Sequence, residues 1–292
     1  YISGFIIFNI LMKPRRDRKF IKKQKNDNSE KLKLYRIFMS EIYQEISIIN
    51  KEDNSLWTGY LYSENKTAIW VMCIHGYGSR ATRMIKYMEH FRELGFNVLA
   101  IDLRGHGKNS KKYCGLGFLD AYDVLRWSEW IHEKYNPKAK IILFGISMGG
   151  ATALTAAGKF PNKFSAIISD SAPSSFPVMI KRIVKHRIGI IVNFLFPIIT
   201  FYVQIFGKFS LSDAEAIKYT PFLNCPVVLI HGSDDGFVLI NMMHELYDSI
   251  VYENKKKLII DKAEHTHAVD VNAELYWSTI DNFLEENGFL EK

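Results

Sequence analysis

The sequence predicts an α/β protein, with a mostly parallel sheet of about eight strands covered by helices on both faces. Three observations predict it. Short apolar runs (AIWVMCI, NVLAI, IILFGI, PVVLI) recur along the chain, and unbroken apolar strands belong to a sheet buried on both sides. Stretches of helical length and periodicity separate those runs. Most runs end in loops rich in Gly, Ser or Asp (HGYG, DLRGHG, GISMGG, HGSDD), the punctuation expected where a strand gives way to a helix.

In chain order, residues 1–12 (YISGFIIFNILM) are apolar and run straight into KPRRDRKFIKKQK, residues 13–25. That second run holds eight basic residues and one Asp, so it accounts for the whole net charge of +7. An apolar stretch this short does not span a bilayer, which takes about 20 residues. Two readings stand: a helix packed on the domain, or the end of a membrane anchor whose polybasic flank suits an anionic membrane surface. The chain therefore divides into an N-terminal segment, 1–25, and an α/β domain, 26–292, with NDNSE at 26–30 as a linker.

Within the domain, EISII and LWTGYLY read as strands, followed by the buried strand KTAIWVMCIHG. A helix over 80–94 stops at Gly95, FNVLAIDLRGHG is a strand, and a helix over 117–135 stops near Pro137. AKIILFGIS, a helix over 148–159 and the strand KFSAIISDSA follow. CPVVLIHGSDD, a helix over 239–250, the strand KKLIIDKA and a helix over 270–286 close the domain. Residues 174–221 break the alternation. They are too long for a simple crossover and too apolar for a solvated loop. They read as a helical cap outside the carboxyl ends of the strands, where substrate sites form in open α/β sheets. Phe176, Ile180, Ile183, Phe194, Phe196, Ile199, Phe201, Tyr202 and Phe206 exceed what two helices need to cover a sheet face, so some of them are expected to line a pocket, with Lys181, Arg182, Lys185 and Arg187 facing solvent.

Composition narrows the function classes. Apolar residues make up 48% and charged residues 24%, as in ordinary globular domains. Outside residues 13–25 the chain is close to neutral, so a basic face for nucleic acid is absent. Cys73, Cys114 and Cys225 are widely separated with no CxxC pair, which argues against a disulfide framework or a zinc site. His265-x-His267 lacks the further ligands of a metal motif. No cofactor is implied.

The chemistry centres on Gly145-Ile146-Ser147-Met148-Gly149. It follows an apolar strand and opens a small-residue helix, the setting in which a serine is held exposed on a strained turn. A serine hydroxyl is a weak nucleophile and needs a base, itself oriented by an acid. HGSDD at 231–235 and AEHTH at 263–267 both lie in loops at carboxyl ends of strands, so Asp234 or Asp235 and His265 or His267 are the candidates. An oxyanion hole takes two backbone N–H groups. Met148 follows the nucleophile, and Tyr77 sits in the loop HGYG after the first long strand.

These segments (HGYG, DLRGHGKNS, GISMGG, HGSDDGFV and AEH) resemble the α/β-hydrolase superfamily over about residues 42–286. They are most similar to the esterase/lipase and serine-aminopeptidase-like group of bacterial hydrolases with an N-terminal membrane anchor. The resemblance implies an α/β-hydrolase fold and places the nucleophile on Ser147, the acid on Asp235 (HGxxDxxV, completed by Val238) and the base on His265 (AxH). It implies a serine hydrolase acting on carboxylic esters of small to medium apolar substrates. Amide cleavage of the aminopeptidase kind and a non-catalytic binding module are the alternative readings.

Overall fold

The structure is a computed structural model that describes residues 2–14, 42–50, 53–64 and 67–290. Most of the basic run, residues 15–25, and the linker at 26–30 lie outside the described residues.

Eight strands form one sheet: β1 Gln44–Ile49, β2 Leu56–Tyr62, β3 Ile69–Ile74, β4 Asn97–Ile101, β5 Lys140–Ile146, β6 Ala166–Asp170, β7 Val227–Gly232 and β8 Lys255–Ile260. Their spatial order is β1-β2-β4-β3-β5-β6-β7-β8. β2 is antiparallel to both β1 and β4, and every other neighbouring pair is parallel. The apolar runs are explained by two cores, one on each face. On β3, Trp70, Met72 and Ile74 enter one core while Val71 and Cys73 enter the other. β5 splits in the same way, with Leu143 on the first face and Ile142 and Phe144 on the second. A strand sandwiched in this manner has no solvent face on which to place a polar residue.

Helices cover the two faces. α2 (Ile85–Glu93) and the C-terminal α9 (Ala273–Glu286) close the second core with Met88, Phe91, Ile280 and Phe283. α3 (Phe118–Lys134), α4 (Met148–Lys159) and α7 (Ile240–Ser249) close the first with Val124, Trp127, Leu154 and Leu246. The expected closing helix is divided: α8 (Ala268–Val271) ends at Asn272, whose φ of −145° leaves the helical region and whose side chain accepts the Leu275 N–H to start α9. Asn at an N-cap satisfies a helix-end donor that otherwise has no partner.

Between β6 and β7 the insertion forms α5 (Phe176–Ile188) and α6 (Val192–Tyr202), continued by a π-turn, Val203–Gly207. Ser175 caps α5 by accepting the Val178 N–H, and Gly189 at φ 62° ends it. α1 (Ile2–Met12) packs against α6 and the π-turn. Its Phe8 ring lies 6.3 Å from Tyr202 and 5.7 Å from Phe206, and Met12 is fully buried. The N-terminal residues thus form a packed helix, apolar all round rather than amphipathic. Among the described residues no helix is long and apolar enough to cross a membrane.

The candidate active site

β5, β6, β7 and β8 run in parallel register, so their following loops emerge at one edge of the sheet. Ser147 follows β5 with φ 55° and ψ −118°, a conformation that costs a non-glycine residue of order 1–3 kcal/mol. The turn is possible because its neighbours lack side chains. A Cβ on Gly145 would fall 2.2 Å from the Gly149 carbonyl oxygen, and one on Gly149 would fall 2.0 Å from the Ile74 carbonyl oxygen. The backbone N–H of Ser147 donates to the carbonyl of Asp170 at 2.7 Å, which ties the turn to the end of β6.

His265 Nε2 lies 2.9 Å from Ser147 Oγ, and His265 Nδ1 lies 2.7 Å from Asp235 Oδ2. With Nδ1 protonated and donating to the carboxylate, Nε2 is left to accept the serine proton. Asp235 is buried, and burial alone would raise its carboxyl. Hydrogen bonds from His231 and His265, the charge of His265 and the Val238 N–H outweigh that and hold it well below the usual carboxylate range. The Phe237 N–H also donates to Oδ1, at 2.9 Å. The acid is therefore ionised at neutral pH and fixed on both oxygens. Of the other candidates, Asp234 is exposed and accepts from Ser233, while His267 is exposed and pairs with Asp270. Neither touches Ser147 or His265 in the described contacts.

Ser147 itself is 8% exposed, and Gly76 lies against it: a Cβ there would fall 3.2 Å from Ser147 Cβ. Tyr77 follows Gly76, and its hydroxyl donates to the carbonyls of Ile10 and Leu11 at 3.1 and 2.9 Å. Met148 is the first residue of α4, where a backbone N–H has no acceptor within its own helix. Two histidines brace this loop. His75 Nε2 accepts the Leu103 N–H while Nδ1–H donates to Gly76, and burial lowers its pKa to about 4, so it stays neutral. His106 Nε2 accepts the Gly78 N–H and Nδ1–H donates to the Arg104 carbonyl.

Two supports were not legible from spacing. His231, near the end of β7, places Nε2 3.3 Å from Asp235 Oδ2 and 2.9 Å from the Val238 carbonyl. Asp170, fully buried at the end of β6, accepts from Ser171 Oγ at 2.8 Å and Tyr276 OH at 3.0 Å. Ser171 Oγ accepts the Thr266 N–H at 3.3 Å, next to His265. Position at the carboxyl end of a strand beside the nucleophile turn was the available signal. Arg182 also departs from the solvent-facing role: it donates to the carbonyls of Gly236 and Phe237, and the Phe237 ring sits 5.0 Å from that of His265. Among the described residues no group of three or more His, Cys, Asp or Glu side chains is placed to hold a metal ion.

The family described as alpha/beta hydrolase fold matches residues 69–186, from β3 through most of α5. An uncharacterized protein of Bacillus subtilis, YqkD, is 26% identical over 78% of this chain and 74% of its own length. An uncharacterized membrane protein of Saccharomyces cerevisiae is 23% identical over 85% of this chain and 81% of its own length. A monoacylglycerol lipase of Mycolicibacterium smegmatis is 30% identical over 34% of this chain and 35% of its own length. Among solved structures, an esterase of Pyrococcus furiosus shares the fold with a TM-score of 0.71 at 24% identity, covering 94% of this chain and 98% of that one.

Proposed function

We propose that this chain, which belongs to the α/β-hydrolase superfamily, is a serine hydrolase that cleaves carboxylic esters of small to medium apolar substrates through an acyl-enzyme. One observation carries the reading: the run Ser147 Oγ–His265 Nε2 at 2.9 Å and His265 Nδ1–Asp235 Oδ2 at 2.7 Å, on a serine held at positive φ. His265 takes the Ser147 proton as Oγ attacks the ester carbonyl, and Asp235 stabilises the imidazolium that forms. The backbone N–H groups of Tyr77 and Met148 receive the oxyanion; the packing of Gly76 against Ser147 and the helix-start position of Met148 support this pair. His265 then protonates the departing alcohol, and the same histidine activates the water that releases the acid.

An apolar acyl group fits the surroundings. The insertion at 174–221 acts as the cap, and Phe237 flanks His265 with an apolar ring. Each further methylene placed in such a pocket is worth about 0.8 kcal/mol. The values of kcat/KM should rise from acetate to butyrate p-nitrophenyl esters and fall once the pocket is full. A fluorophosphonate should label Ser147, and Ser147→Ala should abolish both labelling and hydrolysis. Labelling elsewhere, or an active Ser147→Ala protein, excludes the assignment. A sharp preference for aminoacyl amides excludes the ester reading while leaving the nucleophile in place.

A further inference from the structure

We propose that the outward side of α1, α6 and the π-turn is a docking surface for an anionic phospholipid bilayer, lying beside the Ser147 site. Residues 188–207 carry no charge. Their helix is nonetheless only eleven residues long, contains Pro197 and lies on the surface. An uncharged segment of this kind rests in an interface; it does not span a membrane.

One side of these elements is accounted for. Phe8, Met12, Val192, Ile199 and Val203 are buried. The other side carries Phe5, Ile6, Ile10, Phe194, Phe201 and Ile205, each at least 40% exposed and Phe194 76%. The Phe5 ring lies 5.8 Å from Tyr202 and 5.4 Å from Phe206, so α1 and the π-turn present one continuous face. Contiguous exposed apolar surface marks a docking site.

Charge selects the occupant. Residues 171–212 contain no acidic residue, and Lys181, Lys185 and Lys208 are exposed, as is Lys13 directly after α1. A cationic rim around an apolar face complements anionic headgroups over an acyl layer. The same rim opposes a second copy of the chain, because an isologous contact would bring like charges together. The face also reaches the site. Tyr77 OH binds the Ile10 and Leu11 carbonyls, and Arg182 holds the Gly236–Phe237 backbone beside His265.

Flotation of the full chain with phosphatidylcholine vesicles, with and without about one third phosphatidylglycerol, tests this without requiring turnover. A failed result here therefore leaves the hydrolase reading untouched. Binding should require the anionic lipid and weaken in high salt. Phe194→Glu with Phe201→Glu should reduce binding by about tenfold or more, with the circular dichroism spectrum of the folded protein unchanged. Lys181→Glu with Lys185→Glu should reduce it by a smaller factor. A Phe194→Cys protein labelled with an environment-sensitive dye should brighten on anionic vesicles; the native cysteines are all buried. Wild-type protein that stays unbound, a double phenylalanine variant that binds as wild type, or an unchanged dye overturns the proposal. So does a self-dimer abolished by the same variant in the absence of vesicle binding.

Discussion

The loops after β5, β6 and β7 and the face formed by α1 with α6 lie close together yet are built on opposite rules. In the loops, Ser147, Asp170, Asp235 and His265 all have side-chain hydrogen-bond partners, and the backbone is packed until no Cβ fits, as at Gly145 and Gly149. On the helical face there is no charge in residues 188–207, and large apolar rings point outward. The first region is specified residue by residue, because a reacting group must be held within fractions of an ångström. The second is specified by composition, because a surface that covers or docks needs only apolar area. Substitutions should therefore be costly at single atoms in one region and tolerated in the other.

The largest effect expected is on folding. Gly149→Ala puts a methyl 2.0 Å from the Ile74 carbonyl oxygen, where only backbone can yield. It should cost on the order of 3–5 kcal/mol or prevent accumulation of folded protein, whereas Phe194→Ser should stay within about 0.5 kcal/mol. Chemical denaturation of both proteins gives the contrast, and equal losses would erase it. Next, Asp235→Asn should lower kcat by roughly 10⁴ while Asp234→Asn, one residue away, leaves it within a few-fold. Similar losses at both positions would mean that the polar partners around Asp235 do not decide the role.

A third effect belongs to the border between the regions. Asp120, at the start of α3, is buried: Oδ2 accepts the Gly117 N–H at 2.8 Å, while Oδ1 has no hydrogen-bond partner among the described residues. Burial pushes its pKa up to about 7 despite the nearby Arg104. Its folded pKa lies above the unfolded value of about 3.9, so the folded state holds the proton more tightly. The stability it contributes is full below about pH 4 and is lost as pH rises through about 7. The urea midpoint of wild type relative to Asp120→Asn should therefore fall between pH 5 and pH 8; a difference constant across that range would count against a buried, protonated Asp120. The smallest effect is Tyr77→Phe, which removes the hydroxyl joining α1 to the Gly76 loop. A loss of about 1 kcal/mol with little change in kcat is expected, and a large fall in kcat would show that α1 supports the site more directly.

This division also explains what could be read from the sequence. The inner strands were legible because a sheet covered on both faces forces unbroken apolar runs, and Ser147 because its turn demands glycines at fixed offsets. The strand ends left Asp234 or Asp235 and His265 or His267 as candidates, and the family resemblance selected Asp235 and His265. His231 was not assigned to Asp235 because a histidine inside an apolar strand has no local mark of its partner. The Asp170–Ser171–Thr266 connection arises only when β6 is inserted between β5 and β7. The break at Asn272 depends on one residue leaving the helical region inside a stretch that otherwise reads as continuous helix. In the insertion, apolar residues were recognised but not sorted: Phe176 and Ile180 are core, whereas Phe194 and Phe201 face outward. Hydrophobicity alone does not say which side of a nearly uncharged helix is buried.

Ser147 and His265 are 118 residues apart, and the strands that carry their loops, β5 and β8, join one sheet only through β6 and β7 between them. Contacts of such separation close late in folding, after local helices and adjacent strands have formed. A chain emerging from the ribosome therefore carries its serine for a long interval without a base, and its hydroxyl is as unreactive as any other. In a refolding experiment, regain of helical signal should precede regain of ester cleavage, which makes enzymatic activity a clock for the last stage of assembly.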